Sequence, residues 1–427
     1  MSQVIDLQER LARLRRLGLR KGIAHLQPRR KAPTGGKGSP GIEEVVAGQV
    51  CETRLGPCFV AGESWPLAYQ HGDLPLAAAL KVAPTTLARL ADLPGGTSFD
   101  LRQAVFFDVE TSGLSGGTGT YVFQVGAGFF DGDTFRIQQF FMRDVTEEPA
   151  MLHLVGELLD RFEAVVSFNG RAFDLPLLNT RFTLARQPRR LTRAPHLDLL
   201  KPSRRLWRRR LVSCSLGSLE QEVLGVRRTD QEVPGWLVPR LYFDYLQTGD
   251  ASELAGVFYH NQVDILSLVT LVSRLGTAFG DPQAAEPLDG VDLFSLGRWY
   301  EQLGMKVEAE TAYRTALSGS LPTEVEWAAW RQLSLLLKRH GRREEAAVIW
   351  RRLAESNDTG DVYAHVELAK HYEWHTGDLP AATAVTRQAM ALLESAAPEE
   401  QRGGAWDELA HRLRRLERKM AQVRTLE

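Results

Sequence analysis

Between residues 101 and 141, apolar residues cluster in short runs that are typical of β-strands. The runs at 104–109, 121–130 and 134–141 predict three strands. Asp131-Gly132-Asp133 predicts a tight turn between the last two. Consecutive strands joined in this way indicate an antiparallel sheet.

Beyond residue 141 the pattern alternates between helix and strand. A helix capped by Thr146 is followed by a short apolar strand at 164–168 and by a further helix from Leu175. Antiparallel strands followed by β–α units predict an α/β domain, with a mixed sheet flanked by helices. We place this domain at residues 96–280.

The C-terminal third is helical and repeats with a period that is typical of stacked helical hairpins. At an offset of 37 residues, the first set of matched positions is Leu296, Gly297, Tyr300, Gly304, Ala309, Tyr313 and Ala316, and the second is Leu333, Ser334, Leu337, Gly341, Ala346, Trp350 and Leu353. Leu368, Ala369 and Tyr372 begin a third set. Residues 291–395 are therefore predicted to form three repeats resembling the tetratricopeptide repeat, capped by a helix at 406–420. Generic helical hairpins are the alternative.

The first forty residues differ in composition from the rest of the chain. Residues 3–22 carry apolar positions at helical spacing with Arg and Lys between them, and they predict a basic amphipathic helix. Residues 28–40 are rich in Pro, Gly, Arg and Lys, and they predict a flexible linker. The predicted organisation is helix and linker at 1–40, an accessory segment at 41–95, the α/β domain at 96–280 and the helical repeats at 281–427.

Composition narrows the class of protein. The 427 residues are 44% hydrophobic and 25% charged, which is typical of globular domains. Uninterrupted apolar runs stay below the roughly 20 residues that cross a bilayer, and the N-terminus lacks the apolar core of a signal peptide. We therefore expect a cytoplasmic protein without a membrane partner. Its cysteines, Cys51, Cys58 and Cys214, are too few and too scattered for a disulfide framework or a zinc site.

The net charge of −1 gives no argument for a polyanionic partner, but one segment is strongly basic. Residues 181–210 contain eleven Lys or Arg residues and a single acid, Asp198. Trp207 lies within the run and offers a stacking surface for a base. The nucleic-acid contacts expected from this run are Arg204, Arg205, Trp207 and Arg208. A solvated helix face is the alternative.

The candidate chemistry begins at the end of the first predicted strand. Asp108 and Glu110 are two residues apart and therefore project from the same face of that strand. A glycine-rich loop at 113–119 follows them. Adjacent carboxylates repel each other unless a cation lies between them, and their oxygens suit Mg²⁺ or Mn²⁺. Solvated acids at a strand end are the alternative.

Further acidic residues follow in similar contexts. Asp174 comes after a strand and a turn at the start of a helix, where an N-cap role is the alternative. His260 and Asp264 are four residues apart on one predicted helix and share a face, although a surface or capping histidine is the alternative. A second Asp-x-Glu pair at 230–232 lies in a predicted loop, and we assign it no chemistry.

The order of these acids resembles the DEDD exonucleases of the ribonuclease H-like superfamily. The segments 111–121, 196–198, 214–220 and 234–236 are similar to the bacterial mitomycin repair factor B exonucleases, which also carry tetratricopeptide repeats. The resemblance implies four metal-binding carboxylates, cleavage from the 3′ end, and contacts from Thr111 and Asn169 to the nucleic acid. It also suggests that Asp198 orients structure behind the site without binding metal.

The predicted reaction is two-metal phosphodiester hydrolysis, with two Mg²⁺ or Mn²⁺ ions held by Asp108, Glu110, Asp174 and Asp264. In the resembling families the general base is a His five residues before the last Asp or a Tyr four before it. Here Tyr259 is at minus five and His260 at minus four, which leaves the subclass open. A free imidazole accepts a proton at neutral pH and a phenol does not, so His260 is the expected base.

DNA is the expected substrate, and repair the expected process, because of the resemblance. The resemblance also suggests a DNA helicase or another repair protein as the partner of the repeats. The glycine-rich segment 116–120 lacks the following Lys of a P-loop, so an ATPase is not expected. One alternative is an exoribonuclease with the same site, because nothing in the sequence reads a 2′-hydroxyl. The other is a non-catalytic adaptor that binds nucleic acid and uses its repeats to bind protein.

Overall fold

The computed structural model describes residues 39–113, 119–189, 194–229, 231–282, 288–355, 361–396 and 403–426. The chain divides into two compact units, Met1–Pro287 and Leu288–Glu427. The predicted helix at 3–22 and almost all of the predicted linker lie outside the described residues, as does most of the loop at 113–119.

A mixed β-sheet forms the centre of the first unit. The strands are β1 (Gly48–Thr53), β2 (Gly56–Pro66), β3 (Gln70–His71), β4 (Leu74–Pro75), β5 (Ala104–Thr111), β6 (Val122–Asp131), β7 (Thr134–Phe141), β8 (Ala164–Ser167) and β9 (His196–Asp198). Among the described residues, seven of them form one sheet in the order β1-β2-β7-β6-β5-β8-β9. β5 is antiparallel to β6 and parallel to β8, which confirms the predicted α/β fold with a mixed sheet.

Helices flank this sheet. They are α1 (Ile42–Val45), α2 (Pro84–Leu90), α3 (Glu148–Leu159), α4 (Asp174–Leu184), α5 (Leu200–Trp207), α6 (Leu216–Leu219), α7 (Val238–Thr248) and α8 (Leu254–Gly280). A 3₁₀ turn, Val145–Glu147, precedes α3, and Asp144 caps it by accepting from the backbone N–H of Thr146 at 2.9 Å. The prediction that Thr146 is the cap is therefore wrong.

The segment predicted to be accessory contributes strands to the main sheet. β2 pairs with β7 from Phe59 opposite Phe141 to Pro66 opposite Thr134, and β1 pairs with β2. Phe59 has no exposed surface. Because β1 and β2 are joined to the main sheet by backbone hydrogen bonds, they extend the sheet that contains β5.

The long helix α8 packs closely on the sheet. By length and composition alone it could cross a membrane, but 78% of its most apolar window is buried inside the protein. A buried core helix meets the same test, so the indication is weak. A Cβ at Gly126 of β6 would lie only 2.1 Å from Asn261 Oδ1 of α8. Glycine therefore allows α8 to approach the strand beside β5.

The second unit is helical throughout its described residues. Its helices are α9 (Gly290–Gln302), α10 (Lys306–Ser318), α11 (Thr323–Arg339), α12 (Arg343–Glu355), α13 (Tyr363–His371), α14 (Leu379–Ala396) and α15 (Gly403–Leu426). Gly304, Gly341 and Gly377 lie in the turns of successive hairpins, with φ of 73°, 77° and 72°. The aligned Tyr313 and Trp350 are fully buried. The period in the sequence therefore corresponds to helical hairpins with equivalent turns and cores.

One buried carboxylate holds α15 against the preceding hairpin. Glu373 has no exposed side-chain surface, and it accepts from Arg412 at 3.1 Å, Arg415 at 2.7 Å and Lys419 at 2.8 Å. A buried charge is tolerated when it is paired and hydrogen-bonded in this way. The predicted capping helix at 406–420 lies within α15.

Candidate active site

The end of β5 supplies the first two acids. Asp108 and Glu110 lie on one face of the strand. Thr111 is the last residue of the strand, and its Oγ1 donates to the backbone carbonyl two residues further along the chain at 2.9 Å. Asn261 of α8 donates to Asp108 Oδ2 at 2.8 Å, while its own Oδ1 accepts from Gln139 at 2.9 Å. A buried amide thus fixes one oxygen of Asp108.

The turn between β8 and α4 positions the third acid, Asp174. Asn169 in this turn has φ of 65°, in the left-handed region, and its N–H donates to Asp198 Oδ1 at 2.7 Å. Asp198 also accepts from the N–H of Arg171 at 3.1 Å. A Cβ at Gly170 would lie 3.0 Å from Asp174 Oδ2, so the turn needs glycine there. Asp198 therefore shapes the turn that carries Asp174.

The fourth acid and the candidate base come from α8. His260 Nε2 lies 3.7 Å from Asp264 Oδ2. Tyr259 instead accepts at its hydroxyl from the backbone N–H of Thr229 at 3.3 Å. The contact with Asp264 is therefore made by His260, one helical turn away.

An arginine that the sequence analysis did not select, Arg228, contacts both of these groups. Its Nε and Nη2 donate to Glu220 at 2.6 and 2.7 Å. Its Nη1 donates to Glu232 at 2.7 Å and lies 3.0 Å from His260 Nδ1. Nη2 also donates to Asp264 Oδ1. A single guanidinium therefore links α8 to the segment that follows α6.

The four acids share one electrostatic environment. Burial, followed by repulsion from Asp264, raises the pKa of Asp108 and that of Glu110 well above the usual carboxyl range. Burial and then the neighbouring Asp198 raise the pKa of Asp174 to about 7. Burial also raises the pKa of Asp264, although the neighbouring His260 and Arg228 lower it. The fold therefore places these acidic groups so close together that the negative charge of each one disfavours ionisation of its neighbours.

This donor set fits a divalent cation. Carboxylate oxygens are hard ligands of the kind that Mg²⁺ and Mn²⁺ prefer, and a cation between them would relieve their repulsion. Within the described ranges, no three His, Cys, Asp or Glu side chains are already arranged as a formed metal cluster. Asp108 is turned toward Asn261, and Asp264 toward Arg228. The ligand types are therefore in place, with two of them engaged by protein donors.

A basic cleft of about 560 Å³ lies beside the turn that carries Asp174. Its polar lining includes Asn169, His196, Asp198, Arg171, Lys201, Arg204, Arg205 and Arg208. Asp92 pairs with Arg205 at 2.8 Å and also with Lys201. In the part of the chain that the structure describes, Arg204 and Arg208 have no carboxylate partner. These two are the cations best placed to meet a phosphate.

Other members of the basic run have structural roles. The expectation that Trp207 offers a stacking surface is wrong, because its ring is only 2% exposed and faces the core from α5. Arg181 is also buried, and it pairs with Glu148 at 2.5 Å. Arg189 pairs with Asp160. Two further arginines of the run lie outside the described residues.

Two exposed aromatic residues flank the acidic site. Phe173 immediately precedes Asp174 and is 59% exposed. Trp236 is 47% exposed and follows Gly235, where a Cβ would lie 3.3 Å from His260 Nε2. The site therefore has aromatic surface on the Asp174 side and on the His260 side.

Sequence analysis missed Arg228, Glu220 and Asn261, and it assigned no chemistry to Glu232. Asn261 could have been found, because it lies three residues before Asp264 and therefore on the same helical face. The contacts of Arg228 have no local signal, since its partners Glu220 and Asp264 are 8 and 36 residues away in sequence. Such contacts are set by the tertiary fold alone.

Comparisons with known proteins agree with this architecture. The profile of a family described as the RNase_H superfamily matches residues 105–276, which include all four acids. The uncharacterized protein YprB of Bacillus subtilis (strain 168) is 30% identical over 339 residues, which are 78% of this chain and 80% of that protein. Taken with the mixed sheet and the acids at the end of β5, these matches show that the chain belongs to the RNase H superfamily.

Proposed function

We propose that the chain is a metal-dependent exonuclease that removes nucleotides from the 3′ end of a DNA strand. The observation that carries the proposal is the gathering of Asp108, Glu110, Asp174 and Asp264 from three separate elements, with His260 beside Asp264. Members of the RNase H superfamily are typically nucleases, which supports hydrolysis of phosphodiester bonds.

The four carboxylates would hold Mg²⁺ or Mn²⁺, and two ions would match their combined charge. Bound divalent metal supplies charge neutralisation and Lewis-acid activation at the scissile phosphate. The chain itself must position the strand end and move a proton. His260 is the candidate acceptor of the proton from the attacking water. Thr111 and Asn169 are the candidate contacts to the terminal nucleotide.

The basic cleft is the proposed path of the strand behind its terminal nucleotide. Arg204 and Arg208 would neutralise backbone phosphates, whereas Arg205 contributes less because Asp92 already pairs with it. With Trp207 buried, Phe173 and Trp236 take over the proposed stacking role. Stacking on exposed aromatic rings is tolerant of base identity, as a general exonuclease requires.

Several finer points rest on the resemblance to the mitomycin repair factor B exonucleases. They are the preference for DNA, the 3′ polarity, the role in repair, the tetratricopeptide character of the repeats and their binding of a helicase or other repair protein. Repeated helical hairpins with equivalent turns support a protein-binding surface of this kind. Cytoplasmic location stays a prediction from the sequence.

The test is incubation of the purified chain with 5′-labelled single-stranded DNA, double-stranded DNA and matched RNA, in Mn²⁺, Mg²⁺ or EDTA. Asp108→Asn and His260→Gln are compared with the wild type. Arg240→Gln is the matched control, because Arg240 lies on α7 and pairs only weakly with Asp244, at 3.6 Å. We expect a metal-dependent ladder that shortens from the 3′ end, with activity reduced by about 10²–10³ in both site variants.

The other functions predict different results. Faster cleavage of RNA than of DNA would identify an exoribonuclease that uses the same site. Retained binding without cleavage of any substrate, in any metal, would overturn the proposal and identify a nucleic-acid-binding adaptor.

A further inference from the structure

The turn after α13 places a buried acid and an exposed aromatic ring side by side. Residues Tyr372–Thr376 form a single π-helical turn, which ends at Gly377 with φ of 72°. Within this turn the side chain of Glu373 has no exposed surface, whereas the adjacent Trp374 is 54% exposed. Single π-helical turns are frequent at functional sites. This one presents an acid to the interior of the unit and an indole ring to solvent.

Three cations of α15 converge on Glu373. Arg415 donates from Nε and Nη2 to the two carboxylate oxygens at 3.0 and 2.7 Å. Arg412 donates to one of these oxygens at 3.1 Å, and Lys419 donates to the other at 2.8 Å. Each oxygen therefore accepts two hydrogen bonds, which uses the full acceptor capacity of the carboxylate.

The positive charge around Glu373 exceeds the negative charge. Among the described residues, no second carboxylate accepts a hydrogen bond from the three cations, which leaves an excess of two positive charges. Glu367 lies near Arg412, but it already pairs with Lys338 at 2.5 Å and with Lys370 at 2.9 Å. Burial lowers the pKa of Arg412, and repulsion from the neighbouring arginine lowers it further. The cations are therefore crowded as well as incompletely neutralised.

The adjoining charges of α15 do not remove this excess. Glu417 pairs with Arg387 of α14 at 2.9 Å. Glu408, one turn before the three cations, is exposed, and so is Arg418, which lies among them. These last two side chains have opposite charges and offset each other. The same excess therefore remains when the neighbouring side chains are counted.

The exposed indole ring lies beside the same cations. The guanidinium carbons of Arg412 and Arg415 are 5.4 and 5.7 Å from the centroid of the Trp374 ring. Cation–π attraction at these distances keeps the arginine side chains close to the ring. The side chain of Lys419 is 41% exposed, and that of Arg415 is 31% exposed. Aromatic surface and cationic donors are therefore accessible at one place.

We propose that Trp374, Arg412, Arg415 and Lys419, which we call the Trp374 patch, bind single-stranded nucleic acid, an inference that takes its ligand class from the proposed function. Trp374 stacks on a base, while Arg415 and Lys419 donate to backbone phosphates. Arg415 uses Nε and Nη2 for Glu373, so Nη1 is available for a phosphate oxygen. Every base has a flat face, so the patch holds a strand without reading its sequence.

The combination of groups in the Trp374 patch favours nucleic acid over an acidic protein segment. A run of acidic side chains would compensate the cations but would leave the indole ring exposed. A nucleotide supplies a negative phosphate and a planar base together. A solvated helix face would account for cations on α15, but not for the exposed ring that lies against them on another element.

Fluorescence anisotropy of a labelled oligothymidylate, measured in EDTA with the full chain, tests the patch without cleavage. Trp374→Leu removes the ring, and we expect affinity to fall about tenfold at every salt concentration. Trp374→Phe keeps a stacking ring and should bind within about threefold of the wild type. Lys419→Gln removes a phosphate contact but keeps a donor for Glu373. In this variant the slope of log affinity against log salt should fall by about 1.

Arg387→Gln is the matched control for Lys419→Gln. Arg387 belongs to the same unit, is 61% exposed and pairs with Glu417. The substitution removes the same charge from a compensated pair, so the affinity and the salt slope should equal those of the wild type. Affinities of Trp374→Leu and Lys419→Gln that equal the affinity of Arg387→Gln would overturn the patch.

A labelled oligoglutamate is the second probe, and we expect the wild type to bind it more weakly than oligothymidylate. If oligoglutamate binds more tightly, and its binding is lost in Trp374→Leu and Lys419→Gln, the nucleic-acid assignment is overturned. The ligand of the patch would then be an acidic protein segment.

This design separates failure of the patch from failure of the proposed function, because binding is measured without metal. If the wild type cleaves DNA and the patch variants bind like the wild type, only the patch is overturned. If oligothymidylate binding depends on Trp374 and Lys419 but no substrate is cleaved in Mn²⁺ or Mg²⁺, the patch stands and the proposed exonuclease is overturned.

Discussion

The side-chain amide of Asn261 connects the core helix α8 to Asp108, because its Nδ2 donates to Asp108 Oδ2 at 2.8 Å. Its Oδ1 accepts from Gln139 of β7 at 2.9 Å, and Asn261 has no exposed surface. The amide therefore bridges two strands and a helix within the core. It also determines which oxygen of Asp108 is free to face a metal ion.

Asn261→Leu should weaken both the fold and the metal site. Leucine has similar volume, but it leaves the amide of Gln139 and the carboxylate of Asp108 without this buried partner. We expect the free energy of unfolding to fall by about 1–3 kcal/mol. We also expect Mn²⁺ affinity to fall by about 10–100-fold, as is typical for loss of a group that orients a metal ligand.

Urea unfolding in EDTA and Mn²⁺ titration measure the two effects of Asn261→Leu separately. Gln262→Leu is the matched control, because this neighbouring amide is more exposed and pairs with Glu63 at 3.0 Å. It should change both quantities little. Reduced stability with unaltered Mn²⁺ affinity would show that Asn261 serves only the core.

Asp174 should make the metal-free protein less stable as the pH rises. Its pKa is about 7 in the folded chain against an ordinary value of 3.8, so between these values the folded state binds a proton that the unfolded state does not. Stability contributed by this group is present below about pH 4 and is lost by about pH 7. Asp174→Asn removes the effect.

Melting temperatures in EDTA test this prediction across the same pH range. Asp174→Asn should match the wild type most closely near pH 4 and exceed it most near neutrality. Excess Mg²⁺ should reduce the difference, since a bound cation compensates the charge. A difference that shrinks as the pH rises would contradict the raised pKa.

Arg204→Gln and Arg208→Gln should each weaken nucleic-acid binding in a salt-dependent way. Each side chain lines the cleft without a carboxylate partner among the described residues, so each can release counterions from a phosphate. The slope of log affinity against log salt should fall by about 1 in each variant. Fluorescence anisotropy in EDTA measures binding without cleavage.

Arg205→Gln provides the matched comparison for the cleft. Arg205 already pairs with Asp92 at 2.8 Å, so its loss should change the salt slope less than the loss of Arg204 or Arg208. Equal slopes in all three variants and the wild type would show that the strand follows another path.

Arg181→Met should destabilise the fold and not act on nucleic acid directly. Arg181 is 3% exposed, pairs with Glu148 at 2.5 Å and lies 4.0 Å from the ring centroid of Tyr121. The substitution leaves a buried carboxylate unpaired, and we expect a loss of about 3–5 kcal/mol in chemical denaturation. The double variant Arg181→Met/Glu148→Leu should recover much of this loss. Unchanged stability with weaker DNA binding would instead show that Arg181 contacts nucleic acid.

Local patterns predicted the mixed sheet, and they indicated which acids share a face of a strand or a helix. The strand predicted at 134–141 has the same bounds in the structure, because its apolar residues and the tight turn before it are both visible in the sequence. Asp108 and Glu110 were identified from their spacing at the end of an apolar strand that a glycine-rich loop follows, since strand geometry places alternate residues on one face. The relation between His260 and Asp264 followed in the same way from helix geometry.

What the sequence did not show was set by contacts between distant segments. Charge and an aromatic residue within one short helix suggested a binding surface, but packing of α5 turned Trp207 inward. Arg181 belongs to the same basic run, yet its partner Glu148 is 33 residues away. Arg228 gave no signal for the same reason. Local periodicity predicts which face of a helix or strand is apolar. It does not predict which charged residue, distant in sequence, will pair with a charged side chain on that element.

The division of the site between α8 and the Asp174 turn has a consequence for metal selectivity. His260, Asn261 and Asp264 are separated by fixed rises of about 1.5 Å per residue along one buried helix, so their spacing cannot change without bending α8. Asp174 lies at the first residue of α4, after a turn whose shape depends on Asn169. Ions of different radius require different ligand distances. If the four acids hold a divalent ion, we therefore expect substitutions in the turn at 169–174 to alter the preferred ion while α8 keeps its geometry.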